Sequence, residues 1–343
     1  MNDPSSESAV PLPPSAMTAG VVRPVVVVPH PVPGAVKVEK AEVRQGEHGK
    51  LSRPDLLEFC RGASVVVSMY YNRIDAEFLN AVGPQLKGVC NYAVGFDNID
   101  LKLCRERGVI ITNTPGAVTE GTADLAWALL LACARRLVVA DRFARSPEYA
   151  QRGPLGITEF LGTDLTGRTM LIVGAGRIGY ATALRGIGWG MRTLYVARKT
   201  HLDFELAPLA ARRVTLDEGL READVVSVHT PLTPETRHLI DARALSLMKP
   251  TAILINTARG PVVDETALVN ALRAGTIWGA GLDVFEHEPR LADGLAELDN
   301  VVLSPHIGSA ETKYRLMMTD MVSANAAAIL AGTPPPNRLI PAD

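Results

Sequence analysis

Cysteine is scarce in this 343-residue sequence, and its pattern excludes a zinc site. The four cysteines are Cys60, Cys90, Cys104 and Cys133, with no CxxC pair and no cluster of His and Cys at the spacing of zinc ligands. We therefore expect no metal in this protein. Scattered single cysteines are typical of reduced thiols, which predicts a cytoplasmic location.

A strong excess of charge is also missing. The formal net charge is -2 and the isoelectric point lies near 6.4, so nothing draws the whole chain to nucleic acid or to an anionic membrane. The most apolar stretch, LAWALLLACARRLVVA, meets Arg135 and Arg136 after ten residues, which is too short to span a bilayer. We interpret it as a buried helix and expect neither nucleic acid nor membrane as a partner.

The first residues lack the features of a secretory signal. The stretch MNDPSSESAVPLPPSAMTAG has no basic segment followed by an apolar one. Its content of Pro, Ser and Ala instead predicts a disordered tail over residues 1–22.

What the sequence does contain is a repeated alternation of apolar, β-branched runs with helical patterns. The first series comprises RPVVVVPH, ASVVVSM, LKGVCNY and GVIITNTPG, and the second comprises MLIVGAG, RTLYVAR, DVVSVHTP, AILINTARG, WGAGLDVF and NVVLSPHIG. Runs that are apolar on both faces suit parallel strands covered by helices on both sides. The sequence therefore predicts the α/β class, with two doubly wound, Rossmann-like parallel-sheet domains and a cleft between them.

Two helical segments define the predicted domain boundaries. The segment TEGTADLAWALLLACARR lies between the two series and is expected to cross from one domain to the other, with Thr119 or Thr122 as its N-cap. The segment ETKYRLMMTDMVSANAAAILAG follows the last strand and is expected to pack back on the first domain. We predict a flavodoxin-like substrate domain of residues 23–120 and 311–343, and a dinucleotide-binding Rossmann domain of residues 121–310.

The strand TMLIV is followed by a glycine turn that predicts a dinucleotide site. Gly174, Gly176 and Gly179 form a GxGxxG motif that directly precedes a helical pattern. This context provides a tight turn, a close backbone approach to a pyrophosphate, and a helix N-terminus that faces its negative charge.

The end of the next strand, RTLYVAR, predicts which nicotinamide cofactor is preferred. A carboxylate there would accept hydrogen bonds from the adenosine ribose of NAD and would repel the 2′-phosphate of NADP. The sequence has Ala197, Arg198 and Lys199 instead, which predicts NADP as the preferred cofactor. Two solvated surface cations are the alternative interpretation, and Asp203 leaves the use of NAD open.

Three ionisable residues follow three later strands: Arg259 in AILINTARG, Glu288 in GLDVFEHEP and His306 in VVLSPHIGS. In an open parallel sheet, ligands bind beyond the carboxyl ends of the strands, so one crevice can hold a nicotinamide and all three side chains. His306 suits protonation of a developing alkoxide, and Glu288 suits stabilising its imidazolium. Arg259 suits binding a carboxylate with its planar fork. Each residue taken alone also has an ordinary structural interpretation.

Residues around these strand ends are expected to complete the cofactor site. His229 follows the strand DVVSV and has the position of a wall of the cofactor pocket. The other expected cofactor contacts are Arg177, Ile178, Thr230, Pro231, Thr257, Ala258, Asp283 and Gly308.

These stretches together resemble the D-2-hydroxyacid dehydrogenase family, and within it the glyoxylate/hydroxypyruvate reductases. The resemblance runs from about residue 60 to residue 335 and rests on NYAVGFDNID, GVIITNTPGAVTEGTADLAWALLLACARR, GAGRIG, NTARGPVVDETALVNALRAG, GAGLDVFEHEP and LSPHIGSA. It implies that Arg259 binds the substrate carboxylate and carbonyl, that Glu288 pairs with the histidine, and that His306 is the acid/base. It also implies that backbone amides of Val94 and Gly95 bind the substrate carboxylate, and that the enzyme is a homodimer.

The resemblance is less specific around the substrate. Some reductases of this family place an aromatic residue of the partner subunit over the substrate, near the segment that here reads RGPLGITEF and has no aromatic residue before Phe160. The loop SMYYNRID offers Met69 and Tyr70 as candidate substrate contacts.

The predicted function is an NADPH-preferring reductase of small 2-keto acids such as glyoxylate and hydroxypyruvate. The product would be the 2-hydroxy acid, in the D form where it is chiral. Another D-2-hydroxyacid dehydrogenase or a phosphite dehydrogenase is the alternative. A nucleotide-sensing protein that resembles the corepressors built on this fold is the minor alternative.

Overall fold

The computed structural model describes residues 23–47 and 49–339. The tail predicted over residues 1–22 therefore lies outside the described residues, as do residues 340–343 of the predicted substrate domain. Among the described helices, none combines the length and the apolarity needed to cross a bilayer.

Strands and helices alternate along the chain. The strands are β1 (Val25–Val28), β2 (Glu42–Gln45), β3 (Val65–Met69), β4 (Gly88–Tyr92), β5 (Ile110–Thr112), β6 (Thr169–Val173), β7 (Arg192–Val196), β8 (Arg212–Arg213), β9 (Val225–Val228), β10 (Ile253–Asn256), β11 (Gly279–Leu282) and β12 (Val301–Leu303). The helices are α1 (Arg53–Phe59), α2 (Ala76–Val82), α3 (Leu101–Glu106), α4 (Thr119–Ala134), α5 (Leu137–Ala144), α6 (Pro147–Arg152), α7 (Arg177–Gly186), α8 (Leu202–Glu205), α9 (Leu216–Glu222), α10 (Ala242–Leu247), α11 (Glu265–Arg273) and α12 (Thr312–Ala331).

The first five strands form a parallel sheet in the order β2-β1-β3-β4-β5. This is the order of flavodoxin-like folds. Helices α1, α2 and α3 bury their apolar side chains against one face. The other face is covered by α12, whose Met318, Val322, Ala326 and Ile329 pack among the valines of β1 and β3. The last long helix of the chain therefore belongs to the core of the first sheet.

The remaining seven strands form a second parallel sheet in the order β12-β11-β10-β9-β6-β7-β8. Counted from β6 as its first strand, this is the Rossmann order 3-2-1-4-5-6 with a seventh strand added. Helices α4 and α7 lie on one face, and α9, α10 and α11 lie on the other. The order changes direction between β6 and β9, which is the switch point where such sheets bind ligands.

The predicted fold class, two doubly wound parallel-sheet domains, is confirmed. Helix α4 connects the two sheets and packs on β10, β11 and β12 of the second one. The residue bounds of the domains, 23–120 with 311–343 and 121–310, remain a proposal.

The predicted N-cap of α4 is wrong. The residue before the helix is Val118, which makes no capping hydrogen bond through its side chain. Thr119 is already helical, and the Thr122 hydroxyl donates instead to the carbonyl oxygen of Gly308 at 3.2 Å. The Thr122 side chain thus contacts the loop after β12 and does not cap the helix.

Candidate active site

The glycine turn after β6 is set by two close backbone contacts and is open at its middle residue. Gly174 has a φ of 107°, which glycine adopts without steric cost, and a Cβ there would lie 2.8 Å from the carbonyl group of His229. A Cβ at Gly179 would overlap the carbonyl oxygen of Gly174, whereas a Cβ at Gly176 would meet nothing within 4 Å. The space beside Gly176 therefore fits a ligand that approaches the backbone.

Helix α7 presents its N-terminus to this space. Gly176 is its N-cap and offers no side-chain hydrogen bond, so the first helical amides have no partner from the cap. Free amides at a helix N-terminus suit a pyrophosphate. Arg177 is exposed, and Ile178 packs against the hydrophobic cluster of the first sheet. The start of α7 thus lies where the two sheets meet.

Three buried polar atoms at the ends of β9 and β10 have no hydrogen-bond partner among the described residues. They are His229 Nδ1, Thr230 Oγ1 and Thr257 Oγ1. Unpaired buried polar groups are costly, so this edge of the sheet fits a polar ligand. Burial lowers the pKa of His229 to about 3, and its Nε2 lies 2.8 Å from Ser227 Oγ. A neutral ring suits a pocket wall and not a catalytic acid.

Two other predicted contacts along this edge have hydrogen-bond partners within the protein. The carbonyl oxygen of Pro231 accepts from Thr236 Oγ1 at 2.7 Å, and that of Ala258 accepts from Arg259 Nη1 at 2.8 Å. Arg198 and Lys199 are exposed beyond the end of β7. Asp203 lies on α8, where its Oδ1 is 3.9 Å from Nδ1 of His201.

Asp283 shapes the turn that carries His306. Its Oδ1 accepts from Ser304 Oγ at 2.6 Å and from the Ile307 amide at 2.8 Å, and its Oδ2 accepts from the Gly308 amide at 2.8 Å. His306 has a φ of 57°, an unusual value for a residue with a side chain. The buried carboxylate of Asp283 holds this conformation. Cofactor contacts by Asp283 and Gly308 remain a prediction.

His306 and Glu288 form a hydrogen-bonded pair. Nδ1 of His306 lies 2.9 Å from Oε2 of Glu288, and Oε1 of Glu288 accepts from the Phe285 amide at 3.0 Å. Burial raises the pKa of Glu288, but the hydrogen bond and charge of His306, the Phe285 amide and the charge of Arg259 together lower it, so the net pKa lies below its usual value. Because Nδ1 faces Glu288, Nε2 is the ring atom left for a substrate.

Arg259 reaches across to the first sheet. Its Nε donates to Oδ1 of Asp97 at 2.8 Å, and its Nη2 makes no hydrogen bond with any described residue. A Cβ at Gly95 would overlap this Nη2, so the guanidinium rests against the backbone of the loop after β4. The sequence prediction missed Asp97, although it lies within the quoted motif NYAVGFDNID.

The loop of Val94 and Gly95 is held by side-chain amides. Asn113 Nδ2 donates to the carbonyl oxygen of Val94 at 2.8 Å, and Asn91 Nδ2 donates to that of Gly95 at 2.8 Å. The backbone amides of Val94 and Gly95 have no hydrogen-bond partner among the described residues. Two free amides beside Nη2 of Arg259 form an arrangement that suits a carboxylate.

Of the two substrate contacts predicted in the loop after β3, the structure brings one to the histidine. The ring of Tyr70 lies 4.2 Å from that of His306, measured between centroids. Met69 is 6% exposed and packs in the hydrophobic core of the first sheet with Val67 and Tyr92. Met69 is buried because it is the last residue of β3, a strand with no exposed residue, and it packs on the face that α12 covers.

The chain is similar in sequence and in fold to known dehydrogenases. Residues 127–308 match the D-isomer specific 2-hydroxyacid dehydrogenase, NAD binding domain. A glyoxylate reductase of Thermococcus onnurineus (strain NA1) is 52% identical over 301 residues, which cover 87% of this chain and 88% of that protein. The crystal structure of a Thermus thermophilus protein aligns with a TM-score of 0.85 and 43% identity, covering 92% of this chain and 100% of that one. The structure of an NADPH-dependent glyoxylate/hydroxypyruvate reductase from Sinorhizobium meliloti, in complex with NADP and malonate, aligns with a TM-score of 0.78 and 32% identity, covering 92% and 97%.

The chain therefore belongs to the D-isomer specific 2-hydroxyacid dehydrogenase family, and the family prediction is confirmed. It is an NAD(P)-dependent oxidoreductase. The residues present fit a nicotinamide dinucleotide, because the open space at Gly176 and the unpaired atoms of His229, Thr230 and Thr257 follow adjacent strands of one sheet edge.

The glycine turn generates a prediction that separates packing from cofactor binding. Gly179→Ala should destabilise the protein by about 1–3 kcal/mol, because the new methyl group overlaps the Gly174 carbonyl. Gly176→Ala has room for its methyl group and should keep the melting temperature while weakening cofactor binding. Thermal unfolding and fluorescence titration with NADH and NADPH measure both effects. Equal loss of stability in both variants would contradict the assignment of the open space to the ligand.

Proposed function

We propose that the protein is an NADPH-preferring reductase of small 2-keto acids, with glyoxylate and hydroxypyruvate as its substrates. The observation that carries this proposal is the hydrogen-bonded pair of His306 and Glu288, with Arg259 close enough for its charge to lower the pKa of Glu288. Support for the substrate comes from relatives that are named glyoxylate reductase. The 2-hydroxy acid product would be in the D form where it is chiral.

Each catalytic side chain has a role that follows from its free atoms. When bound, the nicotinamide supplies a hydride to the carbonyl carbon of the substrate. Nε2 of His306 donates a proton to the carbonyl oxygen, and Glu288 stabilises the imidazolium before this transfer. The ring of Tyr70 forms a wall beside the imidazole.

The substrate carboxylate is bound where the two sheets face each other. Nη2 of Arg259 and the amides of Val94 and Gly95 are the free donors of this region. Nε of Arg259 donates to Asp97 and Nη1 donates to the carbonyl oxygen of Ala258, so the substrate carboxylate would meet Nη2. Charge-assisted hydrogen bonds of this kind are stronger than neutral ones and orient the carbonyl toward His306.

We further propose a homodimer. Helices α5 and α6 contain no buried residue, and the segment after them exposes Leu155, Ile157 and Leu161. Exposed apolar side chains gathered in one segment of the chain are typical of an interface. Phe160 packs against Phe143 of its own chain at 5.3 Å between ring centroids. The cytoplasmic location expected from the cysteines, which are all free and buried, stays a prediction.

A substrate panel tests the proposed reaction. Glyoxylate, hydroxypyruvate, pyruvate and phenylpyruvate would be compared by kcat/KM with NADPH and with NADH, and phosphite would be tested with the oxidised cofactors. We expect glyoxylate and hydroxypyruvate to exceed phenylpyruvate, because the ring of Tyr70 narrows the space beside His306. Phosphite-dependent reduction of the cofactor without ketoacid turnover would contradict the proposal.

The pair of His306 and Glu288 predicts a pH profile. Reduction needs the imidazolium, and the lowered pKa of Glu288 keeps its carboxylate charged beside that ring at neutral pH. Glu288→Gln removes the charge, so the alkaline limb of kcat/KM should move to lower pH by about one unit. Glu286→Gln is the control, because Oε1 of Glu286 binds His238 at 2.7 Å instead. An unmoved limb in Glu288→Gln would exclude the pairing from catalysis.

Arg198, which follows β7, predicts the cofactor preference. Arg198→Ala should lose about 10- to 100-fold in kcat/KM for NADPH, since a charge-assisted hydrogen bond contributes about 1.5–3 kcal/mol. NADH should be nearly unaffected, and the preference should shrink as ionic strength rises. The control is Arg192→Ala, which removes an arginine side chain at the opposite end of β7. Equal losses with both cofactors in Arg198→Ala would reject this assignment.

A further inference from the structure

A third cation lies at the end of β7. Arg213 is the second residue of the short edge strand β8, and it pairs with Tyr195 of β7. Its Nε and Nη2 donate to the carbonyl oxygen of Ala197 at 3.2 and 3.0 Å, and its Nη2 also donates to that of Arg198 at 2.9 Å. The side chain therefore touches the segment that was predicted to distinguish NADP from NAD.

The guanidinium of Arg213 is only partly used by these contacts. Its Nη1 makes no hydrogen bond, and the side chain forms no ion pair, with any described residue. Its neighbour Arg212 differs, because Nη2 of Arg212 lies 2.7 Å from both carboxylate oxygens of Glu222. Successive residues of a strand point to opposite faces. Arg213 thus carries an uncompensated charge on the side of the strand away from Glu222.

The position of Arg213 relates it to the cofactor turn. The amide of Gly174 donates to the carbonyl oxygen of Val196 at 3.0 Å, so the glycine turn and the end of β7 are adjacent. The ribose next to the pyrophosphate lies at this strand end in Rossmann folds. The hydrogen bonds from Arg213 fix the carbonyls of Ala197 and Arg198, and they leave one guanidinium nitrogen as a donor.

We propose that Arg213 binds the 2′-phosphate of NADPH together with Arg198, and that it also holds the backbone of the segment carrying Arg198. This inference rests on the proposed preference for NADPH. A phosphate monoester offers several acceptor oxygens and about two negative charges, which matches more than one guanidinium. Arg213 is then a residue that determines cofactor specificity. It lies on the edge strand β8, which carries none of the proposed catalytic residues.

The test is a binding measurement without turnover. Isothermal titration of the full chain with adenosine 2′,5′-bisphosphate and with 5′-AMP gives the contribution of the 2′-phosphate as a ratio of dissociation constants. We expect Arg213→Ala to weaken the bisphosphate by about 10-fold and to leave 5′-AMP nearly unchanged. Arg212→Ala, which removes the adjacent cation on the opposite face, should leave the ratio unchanged. Arg213→Lys keeps the charge but loses the planar guanidinium that contacts both the backbone and the phosphate. Its ratio of dissociation constants should lie between those of wild type and Arg213→Ala.

The outcomes separate this inference from the proposal on which it rests. If wild type binds both nucleotides equally, the NADPH preference itself is overturned. If wild type prefers the bisphosphate and Arg213→Ala keeps the full preference, while Arg198→Ala loses it, the role of Arg213 alone is overturned. If Arg213→Ala weakens the binding of both nucleotides by the same factor, Arg213 acts only by holding the backbone of the Arg198 segment. That result would also overturn phosphate binding by Arg213. Thermal unfolding of each variant confirms that the compared proteins are folded.

Discussion

The contact between Arg259 and the loop after β4 is the constraint on which the geometry of the site depends. Arg259 follows β10 of the second sheet, whereas Asp97 and Gly95 belong to the first. The absence of a side chain at Gly95 lets the guanidinium lie directly on the backbone. The charge-assisted hydrogen bond from Arg259 to Asp97 therefore joins an element of one sheet to a loop of the other. The free amides of Val94 and Gly95 thereby lie on the same loop as the contact with Arg259.

The same constraint extends to the acid/base pair. Gly260 follows Arg259, and a Cβ there would overlap the carbonyl carbon of Phe285, so the loop that carries Arg259 touches the loop that carries Glu288. Buried Glu265 strengthens this second loop by accepting from the Glu286 amide at 2.6 Å. Because the loops are in backbone contact, the positions of Arg259 and Glu288, and with them the proposed carboxylate-binding and proton-donating groups, are linked. Such preorganisation lowers the cost of orienting a small substrate.

The fold was predictable wherever burial left a pattern in the sequence. The central strands of both sheets are apolar on both faces, and the glycine turn after β6 has its own signature, so the α/β class and the two sheets followed from the sequence. The exposed edge strands β2 (Glu42–Gln45) and β8 (Arg212–Arg213) were missed. They pair on one side only and consist largely of polar residues, so neither periodicity nor apolar runs mark them.

Within the site, residues that follow a strand in the sequence could be predicted, whereas residues whose contacts come from distant parts of the chain could not. Arg259, Glu288 and His306 were predicted because each follows its own apolar strand, and strand ends meet at one edge of a parallel sheet. Asp97 was missed because its role appears only when the other sheet brings Arg259 to it. Arg213 was missed because β8 itself was missed. Both residues of β8 are exposed, so under the proposed role of Arg213 the cofactor preference would depend on an edge strand that lies apart from Arg259, Glu288 and His306.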